Sequence, residues 1–179
     1  MSADLIPDEV LKKFVGFPLG KKIFRVKGKD MVEFAKAIGE TRPEYITPAG
    51  TKPDGKPDFS NIVGHPALPA MWALSAATGV DEANFTDDQG KKIKLDVNMA
   101  KLLHTAQEYD YTGCVPIKDG DKLYTTGKLA DANIKGSPGK ELLFITIIEE
   151  TKNDKGQLAV NIKVSAGIRK GGYKTREVV

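Results

Sequence analysis

Apolar and polar residues alternate most cleanly near the end of the chain. Leu158, Val160, Ile162, Val164, Ala166 and Ile168 share one parity, and Asn161, Lys163, Ser165 and Arg169 share the other. A period of two sends these sets to opposite faces of a strand. Upstream, Leu103–Tyr111, Lys122–Asp131 and Leu142–Thr151 read as further strands. They are separated by turn-forming runs at Asp119-Gly120-Asp121, at 135–140 (KGSPGK) and at 153–156 (NDKG). Long strands joined by short turns form an antiparallel meander.

The first half carries a different rhythm. Proline and two acids open a short helical stretch at Pro7-Asp8-Glu9, and Gly16 ends it. Phe17-Pro18-Leu19-Gly20 reads as a turn and Lys22–Val26 as a short strand. Val32, Ala35 and Ile38 recur at helical spacing, so a helix is expected over Met31–Ile38, with Asp30 as its N-cap and Gly39 as its end. Residues 40–62 have no period and are rich in Pro, Gly and Asp, which makes a long loop. The segment His65–Gly79 then runs without a formally charged residue, taking His65 as neutral. From about Pro69 it suits a helix, and a helix apolar all round must be covered on every side. It is far short of the ~20 residues of a membrane span, so a sheet is expected to curl around it. Such a domain exposes strand edges, and pairing with a second chain is one way to protect them. The reading is α+β, with one domain over residues 1–170 and a fraying tail over 171–179.

Composition narrows the class. The 179 residues include 40% hydrophobic and 28% charged, with a net charge of +3, and the basic residues are interleaved with acids. This excludes a nucleic-acid-binding basic block. One cysteine, Cys114, rules out an intrachain disulfide. With no apolar leader in MSADLIPDEVLKK, that points to the cytoplasm. Two histidines, His65 and His104, and no Cys/His cluster leave no metal site to expect.

Three stretches then carry a resemblance. They are Phe34-Ala35-Lys36-Ala37-Ile38-Gly39-Glu40-Thr41-Arg42-Pro43-Glu44-Tyr45, Leu102-Leu103-His104-Thr105-Ala106-Gln107-Glu108-Tyr109, and Gly120-Asp121 opening a strand that runs through Gly127. In order and separation, over roughly residues 8–170, they resemble the MaoC-like and FAS1-like dehydratases. The likeness is strongest to the branch that forms the N-terminal half or partner subunit of (R)-specific hydroxyacyl thioester dehydratases. The resemblance implies a hot-dog fold, an antiparallel curved sheet wrapped around a central apolar helix. It also implies an acyl thioester of coenzyme A or acyl carrier protein as substrate, with no separate cofactor. A homodimer, or a heterodimer with a catalytic hot-dog subunit, is the implied assembly.

The family's catalytic stretch reads Gly-Asp-x-Asn-Pro-x-His. Here Gly39 and Pro43 match, while Glu40 stands at the Asp position, Arg42 at the Asn position and Tyr45 at the His position. Histidine titrates near neutrality and tyrosine near 10, so the substitution removes the natural base. The resemblance therefore implies a chain that shapes the acyl pocket while a partner supplies Asp and His. Glu40 and Tyr45 remain the candidate catalytic pair. Arg42 is a candidate for carrier phosphates. The backbone from Gly64 through His65, Pro66 and Ala67 is a candidate for the thioester carbonyl, and Met71, Trp72 and His104 are candidates for the substrate pocket. Two competing functions are a thioesterase using Glu40 alone and a non-enzymatic acyl-CoA-binding protein.

Overall fold

Side chains that alternate across a strand need a partner layer on only one face. The computed structural model, which describes residues 6–75 and 77–178, meets that need with a five-stranded antiparallel sheet and a layer of short helical pieces. In chain order the elements are α1 (Asp8–Lys12), β1 (Pro18–Arg25), α2 (Gly28–Ala37) and α3 (Pro43–Ile46). The two-residue strands β2 (Gly50–Thr51) and β3 (Pro57–Asp58) follow, and then three 3₁₀ turns, Leu68–Met71, Ala73–Ser75 and Ala77–Glu82. Strands β4 (Asn84–Thr86) and β5 (Lys92–Val97) precede β6 (Leu102–Asp110), β7 (Lys122–Lys135), β8 (Leu142–Lys152), β9 (Leu158–Arg169) and β10 (Tyr173–Val178).

The main sheet has the order β1-β7-β8-β9-β6. Leu143, Ile145 and Ile147 of β8 and Val160, Ile162, Val164, Ala166 and Ile168 of β9 are all buried, as the alternation requires. Each such aliphatic side chain contributes roughly 1.5–3 kcal/mol on burial. The turn from β8 to β9 is held by Asn153, whose Oδ1 accepts the N–H groups of Lys155 and Gln157. Strand β7 outruns its expected end by way of an irregularity between Leu129 and Asp131.

Besides the start of β1, where Pro18, Leu19 and Gly20 are strand rather than the expected turn, four expectations are corrected. The apolar segment is three 3₁₀ turns rather than one α-helix. Pro66 and Pro69 have no N–H to give, and Trp72 leaves helical geometry at φ −135°. The segment is also buried on one side only: Trp72 and Ala73 are buried, while Met71 and Leu74 are exposed. The part of the expected helix at residue 76 lies outside the described residues. Third, Asp30 does not cap α2 but sits inside its first turn. The N–H of Gly28 is instead met by Asp119 Oδ1 at 2.6 Å, from the turn before β7. Fourth, the tail does not fray. Strand β10 pairs with β5 from Tyr173–Val97 to Val178–Lys92, and with β4 they make a second, three-stranded sheet. Sequence reading passed over β5, although Ile93, Leu95 and Val97 alternate there.

Candidate functional site

Helix α2 delivers the site. Gly39 ends it at φ +82°, a conformation that favours glycine. The N–H of Glu40 returns to the carbonyl of Ala35 at 2.9 Å and that of Gly39 to Lys36 at 3.0 Å. This paired closure is a Schellman motif, and it turns Glu40 out of the helix axis. Pro43 then starts α3, its fixed φ suiting a first helical turn, and α3 carries Tyr45.

Four side chains converge here. The Glu40 carboxylate accepts at both oxygens. Oε1 takes the N–H groups of Thr41 and Arg42, each at 2.9 Å, and Arg42 Nε at 3.1 Å. Oε2 takes Arg42 Nη2 at 2.6 Å and lies 3.1 Å from His65 Nε2. The Arg42 guanidinium lies 4.7 Å from the centre of the Tyr45 ring, and that ring meets His65 edge-on at 5.0 Å. Phe34 of α2 backs the imidazole at 6.4 Å. The Glu40 side chain is 10% exposed and that of His65 15%, whereas Arg42 is 56% exposed and forms the outer lip.

The donors fix the protonation pattern. Ala67 N–H points at His65 Nδ1 from 3.0 Å, so Nδ1 is the acceptor nitrogen and Nε2 carries the proton toward Glu40. The Arg42 guanidinium, followed by its backbone N–H, holds the Glu40 carboxyl far below the usual carboxylate range, and Glu40 raises Arg42 in return. The turn that carries His65 is pinned from three sides. Gly64 N–H donates to Ile117 O at 2.8 Å, Leu68 N–H to His65 O at 2.8 Å, and Tyr111 Oη to Pro66 O at 2.6 Å. Burial raises the Tyr111 hydroxyl well above its ordinary pKa.

The structure thus gathers Glu40, Arg42, Tyr45 and His65, with Gly64, Pro66 and Ala67 as the adjoining backbone. Met71 and Trp72 stand at the other end of the first 3₁₀ turn. Trp72 stacks on Phe24 of β1 at 4.9 Å, and Lys22, Ile23 and Thr125 join them around a cavity of about 210 Å³. His104 lies exposed on edge strand β6, opposite Ala166, and is not among the residues around Glu40. A larger hollow of about 580 Å³ crosses the sheet among Glu108, Lys128, Ile148, Glu150 and Lys163. These residues alternate with the inward ones, so the hollow opens on the outer face, away from the Glu40 cluster, although Gly127, Glu149 and Ile162, of inward parity, line it too. Its charges have both signs, and Lys163 faces Glu108 at 3.9 Å.

One group escaped the sequence reading. Glu149 occupies an inward position of β8 at 3% exposure, and among the described residues neither carboxylate oxygen has a hydrogen-bond partner. Desolvation pushes it up to about 8. Its signal was an acid at the parity of Ile145 and Ile147. Among the described residues no group of three or more His, Cys, Asp or Glu side chains is placed to hold a metal ion, and no helix is long and apolar enough to cross a membrane.

No curated protein sequence matches the chain. Solved structures do. R-hydratase PhaJ1 from Pseudomonas aeruginosa is similar at a TM-score of 0.57 and 14% identity, over 92% of this chain and 87% of that one. The (R)-hydratase of A. caviae involved in PHA biosynthesis gives 0.53 and 17%, over 86% and 96%. The C-terminally truncated HadBC complex of Mycobacterium tuberculosis, a 3R-hydroxyacyl-ACP dehydratase, gives 0.53 and 14%, over 83% and 96%. At these identities the likeness speaks for the fold: an α+β hot-dog, with the antiparallel sheet packed on the apolar segment. The family model of the FAS1-like dehydratase domain region matches residues 13–162, and the chain belongs to that family.

Proposed function

We propose that this chain is the acyl-pocket-forming half of a 3-hydroxyacyl thioester dehydratase, which in reverse hydrates a 2-enoyl thioester, and that a partner hot-dog chain supplies the catalytic Asp and His. Hydration needs a base with a free lone pair to take a proton from water as its oxygen bonds to the β-carbon of the enoyl group. A second proton reaches the α-carbon, and negative charge gathers on the thioester oxygen meanwhile. The saturation of Glu40 carries the reading. Its two oxygens already meet five donors, and the acceptor nitrogen of His65 is taken by Ala67 N–H. A carboxylate so held is a weak base, and drawing a proton to it means giving up ion-paired hydrogen bonds. Glu40 and His65 therefore act as a brace for the pocket wall, with Tyr45 packed against them. The substrate is an acyl thioester of coenzyme A or acyl carrier protein, and no further cofactor takes part.

A second reading has one observation in its favour. The 3.1 Å contact between Glu40 and His65 is an acid–imidazole pair, and exposed Arg42 could swing away to free it. Hydration of crotonyl-CoA, followed by loss of enoyl absorbance, separates the two. Turnover by the chain alone that disappears in Glu40→Gln and His65→Gln would mean that it carries its own pair. No turnover alone, with turnover on adding a hot-dog chain with intact Asp and His, supports the pocket-forming role. No turnover in either setting sinks the dehydratase assignment.

A further inference from the structure

A lysine stands where strand alternation calls for an apolar side chain. Lys22 shares its parity on β1 with Phe24 and lies opposite buried Thr125 of β7, so it faces the inner side of the sheet. With Ile23, Phe24, Met71, Trp72 and Thr125 it lines the cavity of about 210 Å³. The 3₁₀ turn Ala77–Glu82 packs farther back on β1, where a Cβ at Gly79 would lie 3.0 Å from Leu19 O. The donors around this cavity lack acceptors. Thr125 and Thr151 satisfy each other at 2.7 Å. Trp72 is only 5% exposed, yet its indole N–H meets no acceptor among the described residues. Among those residues Lys22 faces no carboxylate at ion-pair distance, whereas Lys29, Lys91 and Lys170 each do. None of the described lining residues is acidic. An inward charge on an outer strand also guards against edge-to-edge pairing. That role needs neither a cavity nor an unmet indole, and Lys21 and Arg25, of the opposite parity, already guard β1.

The backbone from Gly64 to Ala67, the candidate for the thioester carbonyl, enters the first 3₁₀ turn, and the cavity lies at the other end of that turn, about 8 Å along at 2 Å per residue. The tip of an acyl chain held at the near end comes to Trp72 and Lys22. A hydrocarbon tip would leave the buried indole N–H unmet, which costs free energy. A carboxylate tip would accept from the indole and pair with the ammonium. At about 30 Å³ per water-sized group, the cavity takes a carboxylate and the few methylenes before it, which pack on the Phe24–Trp72 stack. We propose that the acyl chain ends in a carboxylate, so that the substrate is a monothioester of a dicarboxylic acid, with Lys22 and Trp72 as its specificity-determining residues. This rests on the proposed function for the thioester end and goes beyond it in naming the other end.

Trp72 is the chain's single tryptophan, so its fluorescence reports on the cavity. The test titrates this chain with coenzyme A thioesters paired at equal chain length, adipyl against hexanoyl and glutaryl against pentanoyl. In at least one pair the carboxylated member should bind about tenfold tighter or more, the scale of one hydrogen bond to a charged group. Lys22→Met keeps the aliphatic stem and removes the charge, and should bring the members of each pair level. Lys22→Arg should keep the preference. Lys21→Met makes the same change at the opposite parity of the same strand and should leave the preference intact, which separates recognition in the cavity from the general attraction of a basic edge. Trp72→Phe, followed by calorimetry, should narrow the preference. Equal affinities in both pairs, a preference that survives Lys22→Met or Trp72→Phe unchanged, or one that Lys21→Met removes as fully, overturns the proposal. Binding of none of the thioesters overturns the pocket-forming role with it, whereas binding without preference overturns the carboxylate alone.

Discussion

His65 Nε2 lies 3.1 Å from Glu40 Oε2, on a carboxylate whose remaining acceptor positions are filled by Arg42 and two backbone N–H groups. A brace and a base respond differently to Glu40→Gln. A general base contributes about 10²–10⁴ to rate, whereas replacing a brace with a near-isostere should cost the partnered complex less than about tenfold by comparison. Stability should change at the acid end. Glu40 has a folded pKa below its ordinary value of 4.5, so its contribution is present above that pH and is lost as pH falls below it. The variant's acid denaturation profile should therefore be flatter than the wild type's below about pH 4.5. A rate loss of two orders of magnitude or more would instead make Glu40 the base.

Gly28 opens α2 against Phe59. A β-carbon there would fall on the Phe59 side chain, with its Cβ methylene and the ring carbon Cγ nearest. The N–H of Gly28 is also tied to Asp119, so the helix start cannot slide to make room without breaking that bond. Gly28→Ala should cost roughly 1–3 kcal/mol by forced repacking, read as a lower denaturant midpoint at constant slope. A neutral or stabilising result would mean that Phe59 moves freely and that the start of α2 is not fixed.

How much of this was written in the chain depends on the reach of each interaction. The alternation from Leu158 to Ile168 specifies a strand within itself, and β9 spans Leu158–Arg169 as expected. Gly39 announces the end of α2 because a positive φ is a local demand. Glu40, Arg42 and Tyr45 sit close enough in sequence to be grouped by a motif. His65 joins them only through the path of the long intervening loop, which has no periodic signal. The same holds for Asp119 at the start of α2 and for Tyr111 beneath Pro66. The apolar segment misled for a different reason. Hydrophobicity reports burial but not helix type, and Pro66 and Pro69 carried the information that the expected α-helix overlooked.

The pairing of β10 with β5 makes the tail structural. Leu95 is fully buried beneath this small sheet, and Tyr173 packs against the same core. Truncation before Tyr173 would leave β5, among the described residues, with three-residue β4 as its only paired strand. The thermal midpoint should fall on the order of 5 °C, the scale of a loss of about 2 kcal/mol in a chain of this size. An unchanged midpoint would show that β10 adds nothing to the stability of the core.

Glu149 gives the fold an alkaline weakness. Its two inward neighbours along β8, Ile147 and Thr151, are buried, and Thr151 is already bonded to Thr125 at 2.7 Å. Across the sheet it faces Gly127 on β7 and Ile162 on β9, neither of which can hydrogen-bond through a side chain. The neutral acid is therefore the folded form, with a pKa raised by desolvation from 4.5 to about 8. The unfolded chain ionises at the ordinary value. The contribution of this group to stability is thus fully present below pH 4.5, declines as pH rises toward 8, and changes little beyond. The slope between those limits approaches about 1.4 kcal/mol per pH unit. Glu149→Gln keeps the shape and removes the titration, so denaturant midpoints across that range should lose this decline. Above pH 8 the variant should be the more stable protein. If the two proteins instead keep the same pH dependence, Glu149 has found a partner or water in solution, and β8 opens at that point.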